Sequence, residues 1–342
     1  MSDPFQEQGP INGPASDLIT YAAQLNPRAR ILEVGCGEGH NAIFLAEQGH
    51  IVDALGISAA GIAGAKQRAA DRRLDIRFWL EDLAGFTFRR KYDVILSYDV
   101  LHMPEKAVRD SFLQLARENT KPGGLHFISV FTNRLPAAPD VRPFTKSLFE
   151  VGELPAQYAG WEIVHRAEGI RQEVLSGGEQ CERAYECIVA RKPSFRRITE
   201  HKREYLPLLL LADEEERMID RYLDRGDLFA LYLGEELVGV SVVTQEGDGV
   251  LELQNIAITE CRHRQGWGAQ FVRFLLNYYR GKGKTMLVGT GNVPKAVQFY
   301  RYCGFEVSRY EPEYFLRNYD TLMYEDGELL CDKVYLTTEL GG

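Results

Sequence analysis

Two glycine-rich loops, each set between an apolar strand and a helical segment, constrain this chain more than any other feature. The first follows Ile31–Val34 and reads Gly35-Cys36-Gly37-Glu38-Gly39. The second follows Leu251–Ile258 and reads His263-Arg264-Gln265-Gly266-Trp267-Gly268-Ala269. Glycine permits a tight turn and a close approach of backbone to ligand, and the helix that follows presents unpaired amides at its start. Two such loops call for two sites. At 342 residues the chain is about twice the usual domain length, so it can build two cores to carry them.

The pattern around the first loop alternates strand and helix. Ile31–Gly35, Ile51–Leu55, Asp75–Leu80, Tyr92–Ser97 and Leu125–Phe131 read as strands. Asn41–Gln48, Ser58–Asp71 and Glu105–Asn119 read as the helices between them, with Lys121–Gly124 a turn. This order predicts an α/β, Rossmann-like, mostly parallel sheet with right-handed crossovers. Trp161–Ile170 and Arg183–Arg191, joined by a turn at Ser176–Gly178, close it as an antiparallel hairpin on the sheet's edge. Arg191-Lys192-Pro193-Ser194 breaks the pattern, which places one domain at 1–193 and a second at 194–342. From Phe195 the sequence reads as helix-like segments, then strands Leu228–Leu233 and Leu237–Gln245 around a Gly234–Glu236 turn. Strand Leu251–Thr259 and helix Gln270–Gly281 follow, so the second domain is expected to be α+β with a mixed sheet.

A net charge of −9 argues against a broad nucleic-acid surface, which needs clustered basic residues to neutralise phosphates. Met1–Pro10 lacks the basic and apolar regions of a signal peptide, and the longest aliphatic run, Leu206–Ala212, is too short to span a bilayer. Six cysteines without a CxxC pair fit reduced thiols in a cytoplasm and no metal site. The partners expected are therefore small molecules, with neither nucleic acid nor membrane. The assembly is left open between monomer and homodimer.

In the first loop, Glu33 stands two residues before the glycines, where an acid can receive a ligand ammonium. The segments ILEVGCGEG, LEDL with Asp82, YDVILS with Asp93, and TKPGG together resemble the successive signatures of class I AdoMet-dependent methyltransferases. Within that class, DLAGFTFRRKYDVILSYDVL and RPFTKSLFEVGELPAQYAGWEIV are most similar to the tellurite-resistance methyltransferase family. The resemblance implies AdoMet held by Glu33, Gly35, Gly37 and Gly39, with Asp82 near the adenine amino group. Two positions depart from it. The acid that grips the ribose hydroxyls at the end of the second strand is Gly56 here, and Asp53 should point to the opposite face. Losing hydrogen bonds to a charged group there lowers affinity about 10- to 150-fold. In the hairpin, Gln172, Glu173 and Gln180 stand where the family has cations for an oxyanion substrate, with Arg171 and Arg183 nearby. His102, past the fourth strand, is an acid–base group at the acceptor end or a packed ring, and Cys36 is a small filler.

At the second loop, amides at the helix start form a nest suited to a pyrophosphate, and Arg264 adds positive charge. The loop, then Asn292, Ala296, Phe299-Tyr300 and Gly304-Phe305, resembles the GNAT acetyltransferase superfamily, and the tail Tyr314–Tyr319, Tyr324–Gly327 and Cys331-Asp332 is similar to a bacterial subgroup of it. That resemblance implies acetyl-CoA held by Ile256, Ile258, His263, Arg264, Gly266, Gly268, Ala269 and Asn292. It also implies direct attack of an amine on the thioester, with the oxyanion met by an amide near Ile258. Glu252 is the candidate base, or an ordinary alternate-face strand residue. Tyr300 is the candidate acid for the thiolate, or aromatic packing. Asn292 bonds the pantetheine arm, or else caps the next helix. The chain so read is a bifunctional transferase, or an acetyltransferase carrying a degenerate AdoMet-fold module.

Overall fold

A computed structural model describes residues 13–175, 178–325 and 327–341. Met1–Pro10, Ser176, Gly177 of the expected hairpin turn, and Asp326 of the tail lie outside the described residues. The chain divides into two compact units, Met1–Lys192 and Pro193–Gly342.

The first unit runs α1 (Ser16–Ala22), β1 (Arg30–Val34), α2 (His40–Glu47), β2 (Ile51–Gly56), α3 (Ala59–Asp71), β3 (Ile76–Leu80), β4 (Tyr92–Tyr98) and α4 (Lys106–Glu118). β5 (Thr120–Phe131), α5 (Glu153–Gln157), β6 (Glu162–Val174) and β7 (Gln180–Arg191) complete it. Its sheet has the order β3-β2-β1-β4-β5-β7-β6, parallel from β3 to β5 and antiparallel through the final hairpin. The apolar runs of the inner strands are buried on both faces, as a sheet covered by crossover helices requires. Ile31, Val52 and Val94 pack with Leu45 and Ile62 on one side. Their neighbours Leu32 and Ile95 pack with Phe112 and Leu113 on the other.

Lys121–Gly124, expected as a turn, lies within β5. Pairing with β4 jumps from Tyr92↔Thr120 to Val94↔Leu125, so the segment bulges without reversing. A Cβ on Gly124 would stand 2.7 Å from the Asp93 carbonyl, so only glycine passes there, and Lys121 pins the bulge to the Asp93 carboxylate at 2.8 Å.

The second unit opens with β8 (Ser194–Ile198), where helix-like sequence was expected. Pairing with the next strand from Ser194↔Tyr232 to Ile198↔Leu228, and stacking of Phe195 on Phe274 at 4.3 Å, override local propensity. Then come α6 (Leu206–Leu209), α7 (Glu216–Asp220), β9 (Asp227–Leu233), β10 (Glu236–Gly247), β11 (Val250–Ile258), α8 (Trp267–Tyr279), β12 (Thr285–Gly291) and α9 (Pro294–Tyr302). β13 (Glu306–Glu311), α10 (Tyr314–Asn318), β14 (Tyr324–Glu325), β15 (Glu328–Leu329) and β16 (Lys333–Glu339) follow. The large sheet has the order β13-β16-β12-β11-β10-β9-β8, mixed because only β11 and β12 run parallel. α8 starts at Trp267, ahead of the expected Gln270, because Gly266 caps it at φ 85°. Among the described residues no helix is long and apolar enough to cross a membrane.

Candidate functional site

In the first unit the strand order reverses between β1 and β4, and a crevice is expected beyond the carboxyl ends of strands at such a switch point. Gly35, Gly37 and Gly39 lie at the end of β1 with φ of 77°, 51° and 81°. A Cβ on Gly35 would come within 2.5 Å of Val100, so that turn admits glycine alone. Glu33 is 3% exposed; its Oε1 accepts a hydrogen bond from Asn41 at 3.0 Å, while Oε2 is buried without a partner. Burial pushes its carboxyl up to about 7. An orphaned carboxylate oxygen beside a glycine loop fits a ligand ammonium group. Burial also pushes the Cys36 thiol up to about 12, which leaves it a thiol at neutral pH and a filler.

Asp82 is exposed after β3, with one oxygen taking the Ala84 amide at 3.0 Å. Asp53 is 1% exposed and held by the Tyr92 hydroxyl at 2.9 Å and Arg77 at 3.6 Å, so it cannot replace the missing ribose acid. At Gly56 itself a Cβ would meet Ile62 at 3.5 Å and Cys36 Sγ at 3.7 Å, which are ordinary contacts.

The hairpin's cations are ion-paired, although Arg171 Nη2 and Arg183 Nη1 are each buried without a hydrogen-bond partner. Arg171 pairs with Asp99 at 3.0 Å and Glu173 at 3.4 Å. Arg183 pairs with Glu173 at 2.7 Å and Asp140 at 2.6 Å. Three carboxylates therefore surround two guanidiniums. His102 is fully buried against Phe131, both ring nitrogens lack a partner, and burial lowers its pKa to about 4. It is neutral at ordinary pH.

In the second unit, β11 and β12 pair only from Val250↔Thr285 to Leu253↔Val288, although β11 continues to Ile258 and β12 to Gly291. The strands part beyond that point and free the edge of β11. A cavity of about 960 Å³ opens there. Glu252, Ile256, Ile258, His263, Arg264, Gly266, Gly268, Ala269 and Tyr300 all line it, so the structure brings these sequence-derived candidates together. The His263 ring nitrogen donates to the Ile258 carbonyl at 2.8 Å, tying the loop to the end of β11. No side chain caps α8, so its first amides face outward beside Arg264. Gly268 is fitted against Phe299, where a Cβ would stand at 3.3 Å.

Glu252 lies on the cavity face of β11, and burial raises its carboxyl above the usual range while Lys333 opposes that shift. Tyr300 is 8% exposed and packs on Phe299 and Phe305, with its hydroxyl pKa raised by burial. Asn292 is exposed one residue beyond the lining Gly291, and α9 has no side-chain cap, which removes the capping alternative.

Among the lining residues to which the sequence assigned no role are Asp213, Tyr222, Tyr319 and Lys333. Burial pushes Asp213 up to about 6, against hydrogen bonds from Tyr319 at 3.2 Å and Tyr222 at 3.5 Å. They come from segments with no periodic or glycine signal, and only folding gathers them.

Two family models match the chain: tellurite resistance protein TehB over residues 3–183, and the acetyltransferase (GNAT) family over residues 193–305. The uncharacterised N-acetyltransferase YvbK of Bacillus subtilis is 34% identical over 139 residues, covering 40% of this chain and 90% of the relative. A probable AdoMet-dependent methyltransferase TehB of Haemophilus influenzae is 24% identical over 194 residues, covering 56% of this chain and 66% of the relative. A crystal structure of a Bacillus subtilis acetyltransferase in complex with CoA is 32% identical, covers 43% of this chain and 99% of its own, and gives a TM-score of 0.41. Both families are transferases, using AdoMet and acetyl-CoA respectively. The chain belongs to the TehB family through its first unit and to the GNAT family through its second.

Proposed function

We propose that the chain is a bifunctional transferase, moving a methyl group from AdoMet in its first unit and an acetyl group from acetyl-CoA to an amine in its second. The parting of β11 from β12 beside the open start of α8 carries the acetyl-transfer half. Amides of Gly266, Gly268 and Ala269, with Arg264, are suited to a pyrophosphate. Acetyl-CoA supplies an activated acyl carbon. Glu252 takes the proton of the attacking amine, which its raised pKa favours at neutral pH. The Ile258 amide meets the negative charge that develops on the carbonyl oxygen. The Tyr300 hydroxyl gives its proton to the leaving thiolate.

For the first unit, Glu33, the glycine loop and Asp82 fit AdoMet, which supplies an electrophilic methyl group. The acceptor is a different matter from that of the family. A tellurite-like oxyanion needs unneutralised cations, and the charges of Arg171 and Arg183 are balanced by Asp99, Glu173 and Asp140, although one nitrogen of each lacks a hydrogen-bond partner. An uncharged or cationic small acceptor fits better.

The alternative, an acetyltransferase with a lapsed AdoMet-fold module, is favoured by Gly56. Calorimetric titration of AdoMet into the full chain and its Gly56→Asp variant separates the two. Saturable binding by the unmodified chain, tightened about 10- to 150-fold in the variant, supports methyl transfer. Binding only after the acid is restored supports the lapsed module.

A further inference from the structure

Alternation along the strands of the second unit sorts its sheet into two chemically distinct faces. Leu251, Leu253, Met286, Val288, Val334 and Leu336 pack with Phe271 and Leu275 of α8. The opposite parity presents Glu252 on β11, Gly289 on β12, and Lys333 and Tyr335 on β16, all of which line the cavity. Tyr314 of α10 and Asp213 line it too.

Lys333 is the unusual member of this face. Its ammonium lies 4.5 Å from the ring centre of Tyr314 and 4.9 Å from that of Tyr335. Among the described residues these aromatic rings are its partners, and no carboxylate reaches it as an ion pair. Glu252, Glu311 and Asp213 act on it only from a distance. A lysine that lines a cavity between two tyrosines, with no carboxylate in direct contact with its ammonium, offers a binding site for an anionic group. The chain also makes room for it. A Cβ on Gly289 would stand 2.0 Å from the end of the Lys333 side chain and 3.1 Å from Tyr335, so a side chain at 289 would displace the lysine from its place over β12. Gly289 has no positive φ, so what glycine provides there is clearance for Lys333 and not backbone conformation.

We propose that the acetyl acceptor is an amine that also carries a carboxylate, and that Lys333 holds the carboxylate while Glu252 serves the amine. This rests on the acetyltransferase reading above. No bond forms or breaks at Lys333; it is a specificity residue on the same face as the candidate base.

The test uses the full chain with acetyl-CoA and paired acceptors: lysine against cadaverine, and tyrosine against tyramine. Thiol release gives kcat and KM, and equilibrium titration into the CoA-loaded chain gives binding without turnover. The expected result is a preference for at least one amino acid over its matching amine, in both readouts. Lys333→Met should cut that preference about 10- to 150-fold, through KM. Gly289→Ala, which crowds the lysine without removing it, should cut it in the same direction. Retained acetyl-CoA binding by both variants shows that they fold. Amines preferred throughout, or an amino-acid preference untouched by Lys333→Met, overturns the carboxylate assignment and leaves acetyl transfer standing. Loss of acetyl-CoA binding by the unmodified chain overturns the acetyltransferase reading, and this proposal with it.

Discussion

At the scale of single residues, burial does most to set the chemistry. Glu252 is raised above the ordinary carboxylate range by desolvation, so it gains a proton as pH falls through a value above 4.5. A base must be unprotonated to act, so kcat/KM for acetyl transfer should fall on that acid limb and level off above it. Glu252→Gln should lower turnover about 100- to 10,000-fold and abolish the limb, which a pH–rate profile would reveal. An unchanged limb in the variant would take the role from Glu252. The same burial acts in the opposite direction on the base His102, which it lowers to about 4. It carries no charge at neutral pH, so His102→Gln should leave any pH profile of methyl transfer above pH 6 unaltered. Gly35 and Gly289 make the complementary point: what matters there is the side chain that is absent.

At the scale of elements, helix α4 is fastened to α5 and the segment before it by a buried charge. Arg109 is fully buried, donates to the Ser147 carbonyl at 2.8 Å and to Glu153 at 2.6 Å, and lies 3.7 Å from the ring centre of Phe149. Removing one partner of a buried pair costs about 3–5 kcal/mol, and Lys106 also pairs with Glu153, so the lower end applies. Arg109→Met should therefore lower stability by about 3 kcal/mol in urea titration. Burial alone would raise Glu153, but bonds from Lys106, the Glu150 amide and Arg109 hold its carboxyl below the ordinary value. Its contribution is thus fully present above pH 4.5 and is lost as pH falls through the depressed folded value. The variant's deficit should shrink on acidification. The elements were largely legible beforehand because their apolar runs are long and their breaks are glycines. β8 was not, since Ser194–Ile198 becomes a strand only by pairing with β9. Nor was the bulge at Lys121–Gly124, whose TKPGG composition is that of a turn until β4 holds it open.

At the scale of the whole molecule, each unit has its own core, and each proposed ligand belongs to one unit. A ligand that binds only the folded state at about a hundred times its Kd stabilises by about 2.7 kcal/mol. Acetyl-CoA should therefore raise one thermal transition of the full chain and AdoMet the other, in differential scanning calorimetry. A single transition raised by both would show instead that the two units unfold together. By itself the sequence determined both folds and both loops, because glycine spacing, strand periodicity and the helix that follows are local properties of consecutive residues. Only tertiary structure decided what those loops can act upon. The parting of β11 from β12, the carboxylates that pair with Arg171 and Arg183, and the aromatic setting of Lys333 all depend on residues distant in the chain. Charge matching and clearance are set by what stands opposite in space, which no local pattern encodes.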